Sequence, residues 1–110
     1  ERELLGREVL ARTWRELREL PPRQRVALLL SLRDEGGKAM VPFFPLTGTA
    51  TLAELAEALG LDPGELGRLL PELPKDDSWI AGHLGLTRRQ VINLRKCARE
   101  RLARRLGVAR

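Results

Sequence analysis

IAGHLGLTRRQVINLRK, residues 80–96, passes from small and apolar side chains to basic and amide-bearing ones across one glycine, Gly85. Two helices crossing at a tight corner require that order. The first helix needs an apolar residue followed by a small one where the backbones approach, and Ile80 and Ala81 supply them. Leu84 then precedes the glycine, which takes a positive φ without the clash of a β-carbon. Leu86, Val91 and Leu94 close the corner from the second helix. The same pattern occurs earlier in the chain as Leu55, Ala56, Leu59, Gly60, Leu61, Leu66 and Leu69. Two copies in one register, each with glycine at the same place, predict two helix-turn-helix units.

Outward from these units the chain reads as helices. Residues 3–20 place Leu5, Val9, Trp14, Leu17 and Leu20 near one face, with Arg and Glu opposite. Pro21 and Pro22 end that helix and start the next, which runs from Arg23 to Asp34 with a wide apolar arc and is closed by Gly36 and Gly37. In KAMVPFFPLTG, residues 38–48, the prolines predict an extended connector pinned to the core by Met40, Phe43 and Phe44. Thr49 or Thr51 opens a helix to Leu59, Asp62-Pro63 opens another to Leu70, and a further one spans Asp76 to Leu84. Thr87 caps the last and longest, which continues to Leu106 before Gly107. No alternating pattern marks a strand. The expectation is an all-α bundle of roughly six helices with no winged element. It divides into a helical pair (1–34), a connector (35–48), an acidic helix-turn-helix repeat (49–74) and a basic helix-turn-helix (75–110).

A chain of 110 residues, 43% hydrophobic and 32% charged, has the balance of one globular domain. It holds no apolar run long enough for a membrane span and no secretory signal pattern. It begins at Glu1 rather than methionine, which fits a piece of a longer protein. Cys97 has no second cysteine to pair with, and with a single histidine the usual zinc spacings are missing. A cytoplasmic setting with no membrane, metal, cofactor or small-molecule ligand is therefore expected. The net charge of +5 is unevenly placed. Residues 87–110 hold nine Arg or Lys against Glu100 alone, whereas residues 1–86 hold eleven against fourteen acids. Basic charge gathered on one helix is either a solvated face or the electrostatic footprint of a nucleic-acid partner.

The two repeats differ where a ligand would meet them. Residues 49–74 carry five acids against Arg68, a surface that repels phosphates and reads as a scaffold repeat. After Gly85 come Arg88, Arg89, Gln90, Asn93, Arg95, Lys96 and Arg99. Arginine can pair with two acceptors on guanine, and glutamine or asparagine can pair with adenine. With Val91, Leu94 and Ala98 turned inward, Arg89, Asn93 and Lys96 form an outward stripe at helical spacing. Arg89, Gln90, Asn93 and Lys96 are thus the candidate base readers, and Thr87, Arg88, Arg95 and Arg99 the candidate phosphate ligands.

The remaining singletons carry plainer readings. His83 falls on an exposed or half-exposed face, and Cys97 reads as a small packed residue beside Leu94 and Ala98. Trp14 and Trp79 read as core anchors. No tyrosine and two phenylalanines make a poor base-stacking surface for single strands. Neither the histidine nor the cysteine has an orienting partner, and no glycine-rich phosphate loop is present, so no enzyme is expected.

Two blocks resemble region four of bacterial RNA polymerase sigma factors. LRELPPRQRVALLLSLRD (17–34) matches that family's "lPpRqR" helix at Leu20, Pro21, Pro22, Arg23, Gln24 and Arg25. LGLTRRQVINLRKCARERLARRLG (84–107) is similar to its closing helix-turn-helix and Arg-rich tail at Val91, Asn93, Leu94, Ala98, Arg99, Arg101 and Leu102. The resemblance covers about half the chain. It implies double-stranded promoter DNA bound at the minus-thirty-five element by the last helix, with docking on the β flap of core RNA polymerase. Residues 35–74 stand where the family has a short link, and nothing resembles region two. The chain therefore reads as a sigma region-four-like domain serving transcription or its regulation. The alternative is a protein-interaction module that docks on polymerase or an anti-sigma-like partner.

Overall fold

Val26, Ala27, Leu28, Leu29 and Leu30 follow one another without a polar residue, so a helix through them is apolar all round and has to be enclosed. The computed structural model, which describes residues 2–107, encloses it. This helix, α2 (Pro22–Ser31), packs against α4 (Leu52–Leu59), α6 (Asp77–Leu84) and α7 (Arg88–Leu106), and α1 (Arg2–Arg18) lies along α7. A one-turn α3 (Phe43–Leu46), α5 (Pro63–Leu69) and a 3-10 turn (Leu70–Glu72) complete an all-α fold with no strand among the described residues. All five apolar residues of α2 are buried. So is Ser31, whose hydroxyl donates to the Ala27 carbonyl at 2.9 Å and thereby meets its hydrogen-bonding need inside the helix.

Arg25, from the sequence block before the connector, ties three helices together. Its Nε donates to the Ala58 carbonyl at 2.7 Å, and its Nη1 donates to the carbonyls of Arg18 and Leu20, each at 3.2 Å. These carbonyls belong to the last turns of α1 and α4 or lie just beyond, where no further intrahelical donor follows. A second tie joins α1 to α7: Arg105 Nε donates to Glu16 Oε1 at 2.5 Å. Glu16 holds the Arg105 proton above the ordinary arginine value through this hydrogen bond.

The two helix-turn-helix units repeat almost angle for angle. Gly60 ends α4 at φ 70°, ψ 30°, and Gly85 ends α6 at φ 69°, ψ 34°. In each, the next leucine donates its N–H to an alanine carbonyl at 2.9 Å, Leu61 to Ala56 and Leu86 to Ala81. The following caps, Asp62 and Thr87, share φ −81° with ψ 163° and 160°. Both start a reciprocal capping box, with Glu65 and Gln90 respectively. Ala56 and Ala81 are buried at the crossings, as the small-residue requirement predicts.

Several expectations are corrected. Val9 is 65% exposed rather than inward. It precedes Trp14 by five residues, roughly 140° round a helix of 3.6 residues per turn. Leu10, four before Trp14, packs on the core instead, whereas the Leu5 side chain lies outside the described residues. The second helix ends at Ser31, short of Asp34. Asp34 Oδ1 accepts the N–H groups of Gly36 and Lys38, both at 2.9 Å, and so closes a turn in place of another helical turn. The connector is not extended throughout, because Pro42 caps α3 and Pro45 falls within its first turn. A first-turn residue has no intrahelical acceptor for its N–H, so proline loses nothing there. Val41 and Phe44 are the buried pins, Phe44 with its ring 5.3 Å from that of Trp14; Met40 is half-buried and Phe43 exposed.

A candidate nucleic-acid interface on the last helix

Val91 and Ala98 are buried, which fixes the rotation of α7 about its axis. The opposite face then belongs to Arg89, Asn93 and Lys96, all exposed, with Arg88 and Arg99 also exposed beside them. Ile92 joins them at 38% exposed, in an open hollow lined by Arg88, Arg89, Ile92 and Asn93. The pattern of charged and amide side chains does not mark Ile92, which the same periodicity puts about 60° round the helix from Arg89, on the flank shared with Arg88 and Arg99. An apolar side chain there is suited to the methyl group of a thymine.

Thr87 and Gln90 are exposed but already engaged with each other. Gln90 Oε1 accepts the Thr87 N–H at 2.8 Å, and Thr87 Oγ1 accepts the Gln90 N–H at 3.1 Å. Gln90 keeps its amide N–H₂ for a ligand, while its oxygen serves the helix start. Arg95 departs further from expectation. It is half-buried and forms an ion pair with Asp77 of α6, so it braces the two helices of the unit and is not a free phosphate ligand. The spacing that set Arg95 beside Arg88 and Arg99 carries no information about Asp77.

Two other placements are corrected. Cys97 is exposed, because it stands one residue, roughly 100°, away from buried Ala98. Trp79 is 37% exposed, since Ile80 and Ala81 take the inward positions of α6. Its ring stacks on His83 at 5.0 Å, and the Lys75 ammonium lies 4.7 Å from its centre. Trp14 is buried as expected. Among the described residues no group of three His, Cys, Asp or Glu is arranged to hold a metal ion, and no helix is long and apolar enough to cross a membrane.

The start of α7 differs chemically from those of its neighbours. The first turns of α4, α5 and α6 contain Glu54, Glu65 and Asp77, whereas the first turn of α7 contains no acid. Its capping box is Thr87 with Gln90, the neutral counterpart of Asp62 with Glu65. The partial positive charge of a helix N-terminus is therefore offset by carboxylates in α5 and left open in α7, where Arg88 and Arg89 add to it. No protein-family model, curated protein or solved structure matches this chain.

Proposed function

We propose that this protein is a duplex DNA-binding module for transcription control, with α7 as its recognition helix. One observation carries the proposal. Two helix-turn-helix units of matching backbone geometry differ in that one has a carboxylate cap and acidic surroundings, the other a neutral cap and a cationic, amide-bearing face. Fold requirements act on both alike, so the difference calls for a ligand, and an anionic duplex is the one that fits. Arg89, Asn93 and Lys96, with Ile92 and the free amide N–H₂ of Gln90, face the base edges; Arg88 and Arg99 hold phosphates. Arg95 is left out of the phosphate set. The resemblance to sigma region four makes promoter DNA, acting with bacterial RNA polymerase, the natural setting. Selection of bound duplexes from a random pool tests the reading: enrichment of one motif is expected, and binding with no preferred site after selection would overturn it.

A second reading, a protein-docking module, is favoured by a separate observation. Phe43, Leu46 and Leu52, on α3 and the first turn of α4, are 42%, 79% and 51% exposed. Retention of the domain on core RNA polymerase without DNA, lost in Leu46→Ser, is the result expected from that reading.

A further inference from the structure

The arginines of α7 do not end with the recognition face. Arg101 and Arg104 lie 12 and 15 residues beyond Arg89, about 18 and 22 Å along a helix rising 1.5 Å per residue. α1 packs against this end of α7, and two helices side by side, each about 10 Å across, do not fit a major groove ~12 Å wide, so these side chains lie outside the groove that Arg89 enters. There they meet α1, whose Arg12 and Arg15 are also exposed. The Glu16–Arg105 pair stands between the two sets, and two open hollows share it. Arg12 and Arg15 line one hollow, where Glu19 is the one carboxylate besides Glu16; Arg101 and Arg104 line the other. None of these four arginines forms an ion pair with another described residue. Arg105 already neutralises Glu16, and Arg18 is turned to Glu54 and Glu57 of α4 at 3.6 and 3.9 Å.

We infer that the cleft between α1 and α7 is a second, sequence-independent binding site for the sugar-phosphate backbone of duplex DNA. It rests on the reading of α7 as a DNA-contacting helix. Every residue lining the two hollows is charged, which separates the candidate occupants. A protein partner draws its binding energy from apolar and aromatic anchors at the centre of the interface, and this cleft has none. An amphipathic membrane contact needs apolar side chains to insert, and these are missing too. Phosphates need neither, only unpaired guanidinium groups presenting their forked donors. Arg104 follows Asn93 by eleven residues, roughly 20° round the helix, so the cleft opens from the outward side of α7 rather than from its core side. A base edge does not reach it, which is why it carries no sequence information.

The test uses two double variants, Arg101→Ala/Arg104→Ala and Arg12→Ala/Arg15→Ala, with circular dichroism to confirm that each keeps its helices. Affinity is measured against salt on a random duplex of about 25 base pairs, long enough for both ends of α7 to find phosphates. Each double variant is expected to flatten the plot of log affinity against log salt by about two units, since each lost phosphate contact accounts for ~0.9. The ratio of target to random affinity should stay at the wild-type value. If neither double variant changes the slope, or if the loss appears only with phosphatidylglycerol vesicles or an acidic peptide, the inference is overturned. Failure of the base-reading proposal looks different: Arg89→Ala and Asn93→Ala leave target preference intact while the double variants still flatten the slope, which supports the cleft. A wild-type domain that binds no duplex removes both.

Discussion

Arg89 and Arg95 stand six residues apart on one helix and in different surroundings. Arg89 is exposed on the outward face, whereas Arg95 is half-buried against Asp77. Replacing Arg95 by alanine leaves a half-buried carboxylate without its partner and should cost about 1–2 kcal/mol in chemical denaturation. Asp77→Ala in the same chain should recover part of that loss, because the stranded charge is gone. The salt dependence of duplex binding should be that of wild type in Arg95→Ala, and flattening as strong as in Arg88→Ala would return Arg95 to the phosphate ligands. Arg89→Ala and Asn93→Ala should each weaken binding to a selected site by ~1–3 kcal/mol, as loss of a two-point base contact does, and leave folding stability unchanged. The contrast also marks what the sequence makes legible at this scale. Helical spacing identifies the outward residues because burial of Val91 and Ala98 sets the rotation. It says nothing about Asp77, because that pairing depends on how α6 and α7 cross. Cys97 and Trp79 fall outside the core although each adjoins a buried residue, because adjacency on a helix means a rotation of roughly 100°, not a shared environment.

At the scale of the helix, the caps were readable and the single turn of α3 was not. Thr51, Asp62, Asp76 and Thr87 each accept a backbone N–H from the residue three positions on, so short-range chemistry fixes where α4, α5, α6 and α7 begin. The residues of α3 give no such signal, and Pro45 within it argues against a helix unless it is a single turn long. The caps themselves are open to experiment. Gln90→Glu converts the capping box of α7 to the type found in α4, so thermal stability should hold or rise slightly, by ~0.3–1 kcal/mol from the helix dipole. Duplex affinity should fall in the same variant, because a carboxylate then sits beside the phosphates. Retained affinity would mean that the open N-terminus of α7 has no part in binding. The capping box of α4 predicts a pH dependence. The Thr51 backbone N–H donates to Glu54 and holds its carboxyl below the ordinary value. A lowered folded pKa stabilises the chain above the unfolded carboxylate range, and the gain is lost as pH falls through the folded value. Glu54→Gln keeps the cap geometry, as Gln90 shows, but not the charge. Its melting temperature should therefore lie below wild type at neutral pH, with the gap closing in acid.

For the whole molecule, the question is whether the acidic repeat touches the behaviour of the basic one. Glu65 borders the groove that also holds Trp79 and His83, so α6 stands between it and α7. Packed helix axes are 8–10 Å apart, and the Debye length is about 8 Å at physiological salt but ~30 Å at 0.01 M. The field of the α5 carboxylates is thus largely screened before it reaches a duplex on α7, unless salt is low. Asp62→Asn/Glu65→Gln removes both charges while leaving oxygen acceptors at the two capping positions. Random-duplex affinity should match wild type at ~0.15 M salt and exceed it near 0.01 M, where screening is weak. An equal gain at both concentrations would place the acidic repeat against the DNA and overturn the division of labour between the two units. Shared backbone geometry would then serve one continuous interface, with the carboxylates weakening it locally. With a gain confined to low salt, the acidic repeat stays off the duplex. Its charge then acts only at long range, by turning the approaching polyanion toward the end of the molecule where α1 and α7 present their arginines.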